Sequence, residues 1–168
     1  MFEKGTTVYY GTAGVCKVSD ICSSPFDKND YRMYYVLAPA GFDNGTIIYA
    51  PAEGGKVMLR PLMSAEEAEA LISSLPELPV LDVLNEKHRR EEYKSAMRDG
   101  APESIAKLIK TVYLRKKNAP KTQKRMSDTD AEFDKIARKA LFGELCHVFG
   151  ETDAEVENRV NTALKASI

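Results

Sequence analysis

The spacing of apolar and polar positions changes once along this chain, close to residue 64. Before that point, short runs rich in Val, Ile, Tyr and Thr occupy residues 7–10, 15–21, 31–37, 46–50 and 57–60. Turn-forming stretches separate them: Gly11-Thr12-Ala13-Gly14, a polar, proline-containing segment over 23–30, and Gly41-Phe42-Asp43-Asn44-Gly45. Five β-rich segments at such intervals predict a small antiparallel barrel. Tyr9, Tyr34 and Tyr35 are expected to pack within it.

From Ser64 the period becomes helical. Ser64-Ala65-Glu66-Glu67 has the form of a capping box, in which the serine hydroxyl accepts from the Glu67 N–H and the Glu67 carboxylate reaches back. Ala68, Leu71, Ile72 and Leu75 follow at helical spacing. Pro76 and Pro79 end that helix, so residues 75–82 are expected to link two domains. Four helices are predicted beyond the linker. The first runs from about 85 to 98 and stops at Asp99-Gly100. The second opens on Pro102 and buries Ile105, Leu108, Ile109 and Val112. Asn118-Ala119-Pro120 breaks it. The third is capped by Ser127, buries Phe133, Ile136, Ala137, Ala140, Leu141 and Leu145, and closes at Gly150. The fourth begins with a second capping box, Thr152-Asp153-Ala154-Glu155, and carries Val156, Val160 and Leu164 on one face. The fold class is therefore α+β: residues 1–62 a barrel, 63–83 a connecting helix and linker, and 84–168 a four-helix unit.

Charge adds a partner class to this picture. The net charge of the 168 residues is only −1, yet residues 84–126 carry 13 Lys/Arg against 5 Asp/Glu, a local excess of +8. The flanking segments are acidic. A block of this sign attracts polyanions, and it coincides with predicted helices, so a nucleic-acid backbone is the first candidate partner. Lys87, His88, Arg89, Arg90, Arg115, Lys116, Lys121, Lys124 and Arg125 are the candidate contacts.

Candidate chemistry changes little. Three cysteines (Cys16, Cys22, Cys146) without a CxxC pair and two histidines (His88, His147) give no zinc spacing, and buried reduced thiols are expected. Cys146 and His147 are adjacent, but neighbours on a helix point about 100° apart, which argues against a nucleophile–base pair. Phosphate-binding, dinucleotide, metalloprotease and nucleophile-elbow motifs are absent, so no catalysis, cofactor or small-molecule substrate is expected. With no leader-like N-terminus and no run of about 18 apolar residues, a cytoplasmic address is expected and a membrane partner is not.

Phe2, Gly5, Val8 and Tyr10, followed by Gly14-Val15, resemble the opening strands of the CarD/CdnL family of bacterial transcription regulators. So do Tyr34-Tyr35-Val36-Leu37, Ile48-Tyr49-Ala50-Pro51-Ala52, Leu59-Arg60-Pro61-Leu62, Arg89-Arg90, Asp99-Gly100 and Leu141-x-x-Glu144-Leu145. The resemblance covers essentially the whole chain. It implies a Tudor/SH3-like barrel, similar to the polymerase-binding module of transcription-repair coupling factor, that docks on the RNA polymerase β subunit through a strand edge. Ile47, Ile48, Tyr49, Ala50 and Pro51 occupy that edge. It also implies a helical domain that contacts promoter DNA, where the family inserts a tryptophan into the minor groove. This chain has no tryptophan. Glu86 falls in the wedge slot, with His88 and Tyr93 the nearest rings, and Ser24 and Tyr49 stand where the family carries basic polymerase-facing residues. The alternative is an adaptor of RNA polymerase that has lost DNA contact.

Overall fold

In the computed structural model the described residues are 1–40, 45–82, 85–120, 122 and 125–167, less the side chain of Thr12. The loop expected at 41–44 and the candidates Lys121 and Lys124 lie outside them. The chain forms two compact units, Met1–Leu62 and Met63–Ile168.

The first unit is an antiparallel sheet of five strands: β1 (Thr7–Tyr10), β2 (Gly14–Ser23), β3 (Met33–Pro39), β4 (Ile48–Pro51) and β5 (Leu59–Pro61). Their spatial order is β4-β3-β2-β1-β5. Side-chain alternation places Val8, Cys16, Val18, Tyr35, Leu37 and Ala50 together in one buried cluster, with Ile21, Ile48 and Leu59 packed against it. Tyr9, on the opposite face of β1, is also fully buried, and the Arg60 guanidinium lies 4.1 Å from its ring centroid. The Tyr35 hydroxyl accepts from the Phe2 backbone N–H at 2.9 Å, tying the N-terminal segment to the core. A register shift between Val18 and Asp20 lets the long β2 bend.

The closed barrel expected from the strand spacing is not what forms: among the described residues β4 and β5 pair only with β3 and β1, and the sheet stays open. Both outer strands are short, and each ends in a proline, Pro51 and Pro61, that has no N–H to offer a closing ladder.

The second unit contains α1 (Ala65–Ser74), α2 (Glu86–Asp99), α3 (Pro102–Lys117), α4 (Asp128–Phe149) and α5 (Asp153–Lys165). Both capping boxes form, at Ser64/Glu67 and Thr152/Glu155. Asn85 and Ser127 cap α2 and α4 through their side-chain oxygens. Gly100 and Gly150 end α2 and α4 with φ of 69° and 65°, a left-handed turn that costs glycine little. Leu71, Leu75, Tyr93, Ile105, Leu108, Ile109, Leu141, Leu145, Val160 and Leu164 fill the core.

Among the described residues the four helices expected beyond residue 84 form as α2–α5, and α1 with the segment after it falls in the same unit. Residues 75–82 are not a free linker. Lys110 on α3, only 4% exposed, donates from Nζ to the carbonyls of Pro76 and Leu78 at 2.7 Å each. The Leu81 N–H donates to Thr111 Oγ1 at 2.9 Å. Desolvation holds the Lys110 pKa below the usual lysine value. At the other end of the unit, the fully buried Glu144 accepts from the Met63 N–H at 2.9 Å and anchors the entry to α1.

Candidate functional site

Two surfaces carry the candidate residues. The first is the outer edge of β4. In this strand Ile48 pairs with Leu37, Tyr49 with Val36, Ala50 with Tyr35 and Pro51 with Tyr34. The Ala52 N–H donates to the Met33 carbonyl at 2.9 Å. Antiparallel pairs alternate between bonded and non-bonded. Ala50 and Ile48 therefore direct their backbone groups to β3, while Tyr49 turns its N–H and C=O to the open edge. Pro51 sits in the same outward register, where its missing N–H costs the ladder nothing. Ala50 is fully buried, so it serves the core rather than a partner. Ile47 (54% exposed) and Tyr49 (38%) are the accessible side chains of the expected edge, with Ile48 and Pro51 half-buried.

The structure adds a neighbour absent from the candidate set. Phe26, in the turn between β2 and β3, is 73% exposed. Its ring nevertheless meets two tyrosines edge-on, Tyr49 at 5.6 Å between centroids and Tyr34 at 5.9 Å. The turn is held by local hydrogen bonds: the Phe26 N–H donates to Ser24 Oγ, the Asn29 N–H to Asp27, and the Arg32 N–H and guanidinium to Asp30. The bond from Arg32 holds the half-buried Asp30 carboxyl near a pKa of about 2. A lone phenylalanine between Pro25 and Asp27 in a polar turn was the available signal.

The second surface is the cationic helical one, and here the structure redistributes the charge. Asp130, on the first turn of α4 and only 4% exposed, lies 3.1 Å from Arg89 Nε and 3.0 Å from Arg115 Nε, and accepts from the Tyr93 hydroxyl at 2.8 Å. Arg89 is itself buried, at 7% exposure. Arg90 pairs with Glu132 at 3.2 Å and covers the Phe133 ring; Arg125 pairs with Asp128 at 3.0 Å. The acidic first turn of α4, Asp128 and Asp130, thus gathers Arg89, Arg115 and Arg125 from 3 to 41 positions away, and Glu132 in the next turn takes Arg90.

Arg89 is consequently buried in the fold rather than presented on a basic surface, and Arg115 directs its Nε to the same carboxylate. Tyr93 is fully buried and cannot serve as a displaced wedge; burial, then its bond to Asp130, pushes its pKa well up. Glu86 is exposed at the start of α2 and accepts from the Thr129 hydroxyl at 3.5 Å. His88 is half-buried, 3.9 Å from Glu92. Lys87, Lys116 and Lys117 project into solvent with no ion pair among the described residues. A cleft of about 630 Å³ beside the end of α3 is lined by Leu114, Arg115, Lys116, Arg125, Met126 and Asp130, among others.

Among the described residues no cluster of His, Cys, Asp and Glu has the form of a metal site, and no helix is long and apolar enough to cross a membrane. Of the three free cysteines only Cys16 is buried, and its thiol pKa rises to about 11 through desolvation. Cys146 is half-buried and donates to Asp153 rather than to the adjacent, exposed His147. Desolvation and that bond lift its pKa to about 11, the reverse of an activated nucleophile. No family model matches the sequence, and no curated protein is significantly similar to it.

Proposed function

We propose that this chain is a CarD-like regulator of bacterial transcription initiation that docks on the RNA polymerase β subunit through β4 and holds promoter DNA weakly through its helical unit. The observation that carries this reading is the open edge of β4: Tyr49 offers an N–H and C=O unpaired among the described residues, beside exposed apolar side chains, which is what strand addition requires. The strand order, a four-strand meander with β5 returning beside β1, suits a Tudor/SH3-like module opened between β4 and β5. DNA contact falls to Lys87, Lys116, Lys117 and the exposed face of Arg125, and it is a phosphate contact without a wedge. Tethering by the sheet unit raises the local DNA concentration, so weak intrinsic affinity suffices.

The adaptor reading, polymerase binding without DNA, has one specific observation in its favour. The first two turns of α4, through Asp128, Asp130 and Glu132, pair with Arg89, Arg90, Arg115 and Arg125, which takes most of the arginines out of the block that suggested DNA. The test for docking is Tyr49→Pro in the full chain, measured against purified bacterial RNA polymerase. That change deletes an N–H that the fold does not use, whereas Ile48→Pro would break the pairing with β3. Loss of binding with an unchanged melting curve is expected. Full binding by a folded Tyr49→Pro chain would refute the edge.

A further inference from the structure

Large exposed apolar side chains are not spread evenly over this protein. Among the described residues Met1, Phe26, Tyr31, Met33, Ile47, Tyr49, Val57 and Met58 lie in the sheet unit, and only Val80 lies in the helical one. Within that set Phe26 stands apart. A phenylalanine 73% open to water is ordinarily a free rotor, yet this ring is fixed by edge-on contacts with both Tyr34 and Tyr49 and by a turn closed through Ser24, Asp27 and Asp30. Ordered exposed aromatics of this kind are the usual anchors of protein interfaces, because a rigid ring loses little entropy on contact.

Position decides what covers it. Tyr49 is the β4 residue whose backbone faces the open edge, and its side chain stands on the outer face of the sheet, opposite the half-buried Ile48 and the buried Ala50. A strand added to β4 places alternate side chains directly beside Tyr49, at about 4.5–5.5 Å between Cβ atoms, and the Tyr49 ring already meets Phe26 at 5.6 Å. The charge of the surroundings argues for an apolar side chain there. The Arg32 guanidinium, 6.0 Å over the Tyr34 ring, is forked onto Asp30, which also accepts from the Tyr34 hydroxyl at 3.5 Å, so these two charges beside the rings compensate each other.

Resting on the docking reading above, we infer that Phe26, Tyr34 and Tyr49 form an aromatic platform that selects an extended polymerase strand bearing a large apolar side chain opposite Tyr49, and that the contact is apolar rather than ionic. Phe26 is the specificity-determining residue: it contributes nothing to the sheet ladder and little to the core.

The test measures binding of full-length chains to purified bacterial RNA polymerase, with thermal melting as the control for folding. The variants are Phe26→Ser, Phe26→Trp, Tyr49→Pro and Lys28→Glu. Because Phe26 is exposed, Phe26→Ser is expected to melt with the wild type and to lose at least about 30-fold in affinity, the size of an anchor's removal. Phe26→Trp and Lys28→Glu are expected to bind like the wild type. Wild-type affinity is expected to change by less than about threefold between about 0.1 and about 0.5 M salt, since screening acts on charges and not on rings. Wild-type binding that survives Phe26→Ser while Tyr49→Pro fails would overturn the platform and leave the edge standing. A steep salt dependence would overturn its apolar character. Absence of any wild-type binding would overturn the docking reading and the platform together. Self-association abolished by Tyr49→Pro would assign the edge to a second copy of this chain and overturn the inference.

Discussion

Replacing Asp130 by asparagine should unfold the helical unit far more readily than any change at its surface. The side chains are nearly isosteric, and an asparagine oxygen can still accept from the Tyr93 hydroxyl, so the change removes mainly the charge. Arg89, at 7% exposure and 3.1 Å from the carboxylate, is then left buried and uncompensated. Breaking a buried pair in this way costs roughly 3–5 kcal/mol. Arg115, with about a third of its side chain in solvent, adds only about 0–1 kcal/mol. For a unit of about 100 residues the melting temperature should fall on the order of 20 °C. Calorimetry or urea titration of the full chain measures it. Arg89→Met in the Asp130→Asn background should recover about 2 kcal/mol, because the stranded cation is gone. A loss under about 1 kcal/mol for Asp130→Asn, or strict additivity of the two changes, would refute the claim that Arg89 is a core residue held by this carboxylate.

Other outcomes follow from the same geometry. Tyr93 has a raised pKa in the folded chain, first by burial and then by its bond to Asp130, so the unfolded chain loses its phenolic proton at lower pH. Stability from this group is complete below the ordinary tyrosine value near 10 and declines as pH rises above it; Tyr93→Phe should flatten that alkaline decline in a melt series. Lys110→Met should cost about 2–4 kcal/mol by stranding the Pro76 and Leu78 carbonyls, and should open residues 75–82 to limited proteolysis. In fluorescence anisotropy with duplex DNA, Lys116→Ala or Lys87→Ala should each shallow the log–log salt slope by about one unit, while Arg89→Met leaves it unchanged after correction for folded fraction. A flat salt response in the wild type would favour the adaptor reading.

What the sequence made legible was local. Ser64 and Thr152 with glutamate three residues on, Ser127 before an acidic turn, and Gly100 and Gly150 after apolar stripes mark helix ends because caps act within one turn. The five strands were readable for the same reason. What escaped depends on contacts distant in sequence. Pro76 and Pro79 suggested a spacer, but Lys110 reaches back more than 30 positions to bind that segment. The run of cations suggested an exposed basic face. Yet charge counted along the chain is not charge on a surface, and Asp130 and Glu132 arrive from a helix that lay outside the counted block. Phe26 was hidden inside a turn whose polar composition was its most visible property. Closure of the barrel was expected from the number and spacing of the strands and from the family resemblance, and the length and terminal prolines of β4 and β5 decide against it.

Hydrogen exchange at the Tyr49 amide, in the full chain with and without saturating bacterial RNA polymerase, tests the docking claim most directly. That N–H faces the open edge in the free chain and should exchange quickly, while the amides of Ile48 and Ala50, directed to β3, are slower. Polymerase should slow Tyr49 at least about tenfold and leave the already paired positions little changed. Unchanged exchange at Tyr49 under saturating polymerase, or protection confined to the helical unit, would contradict the account.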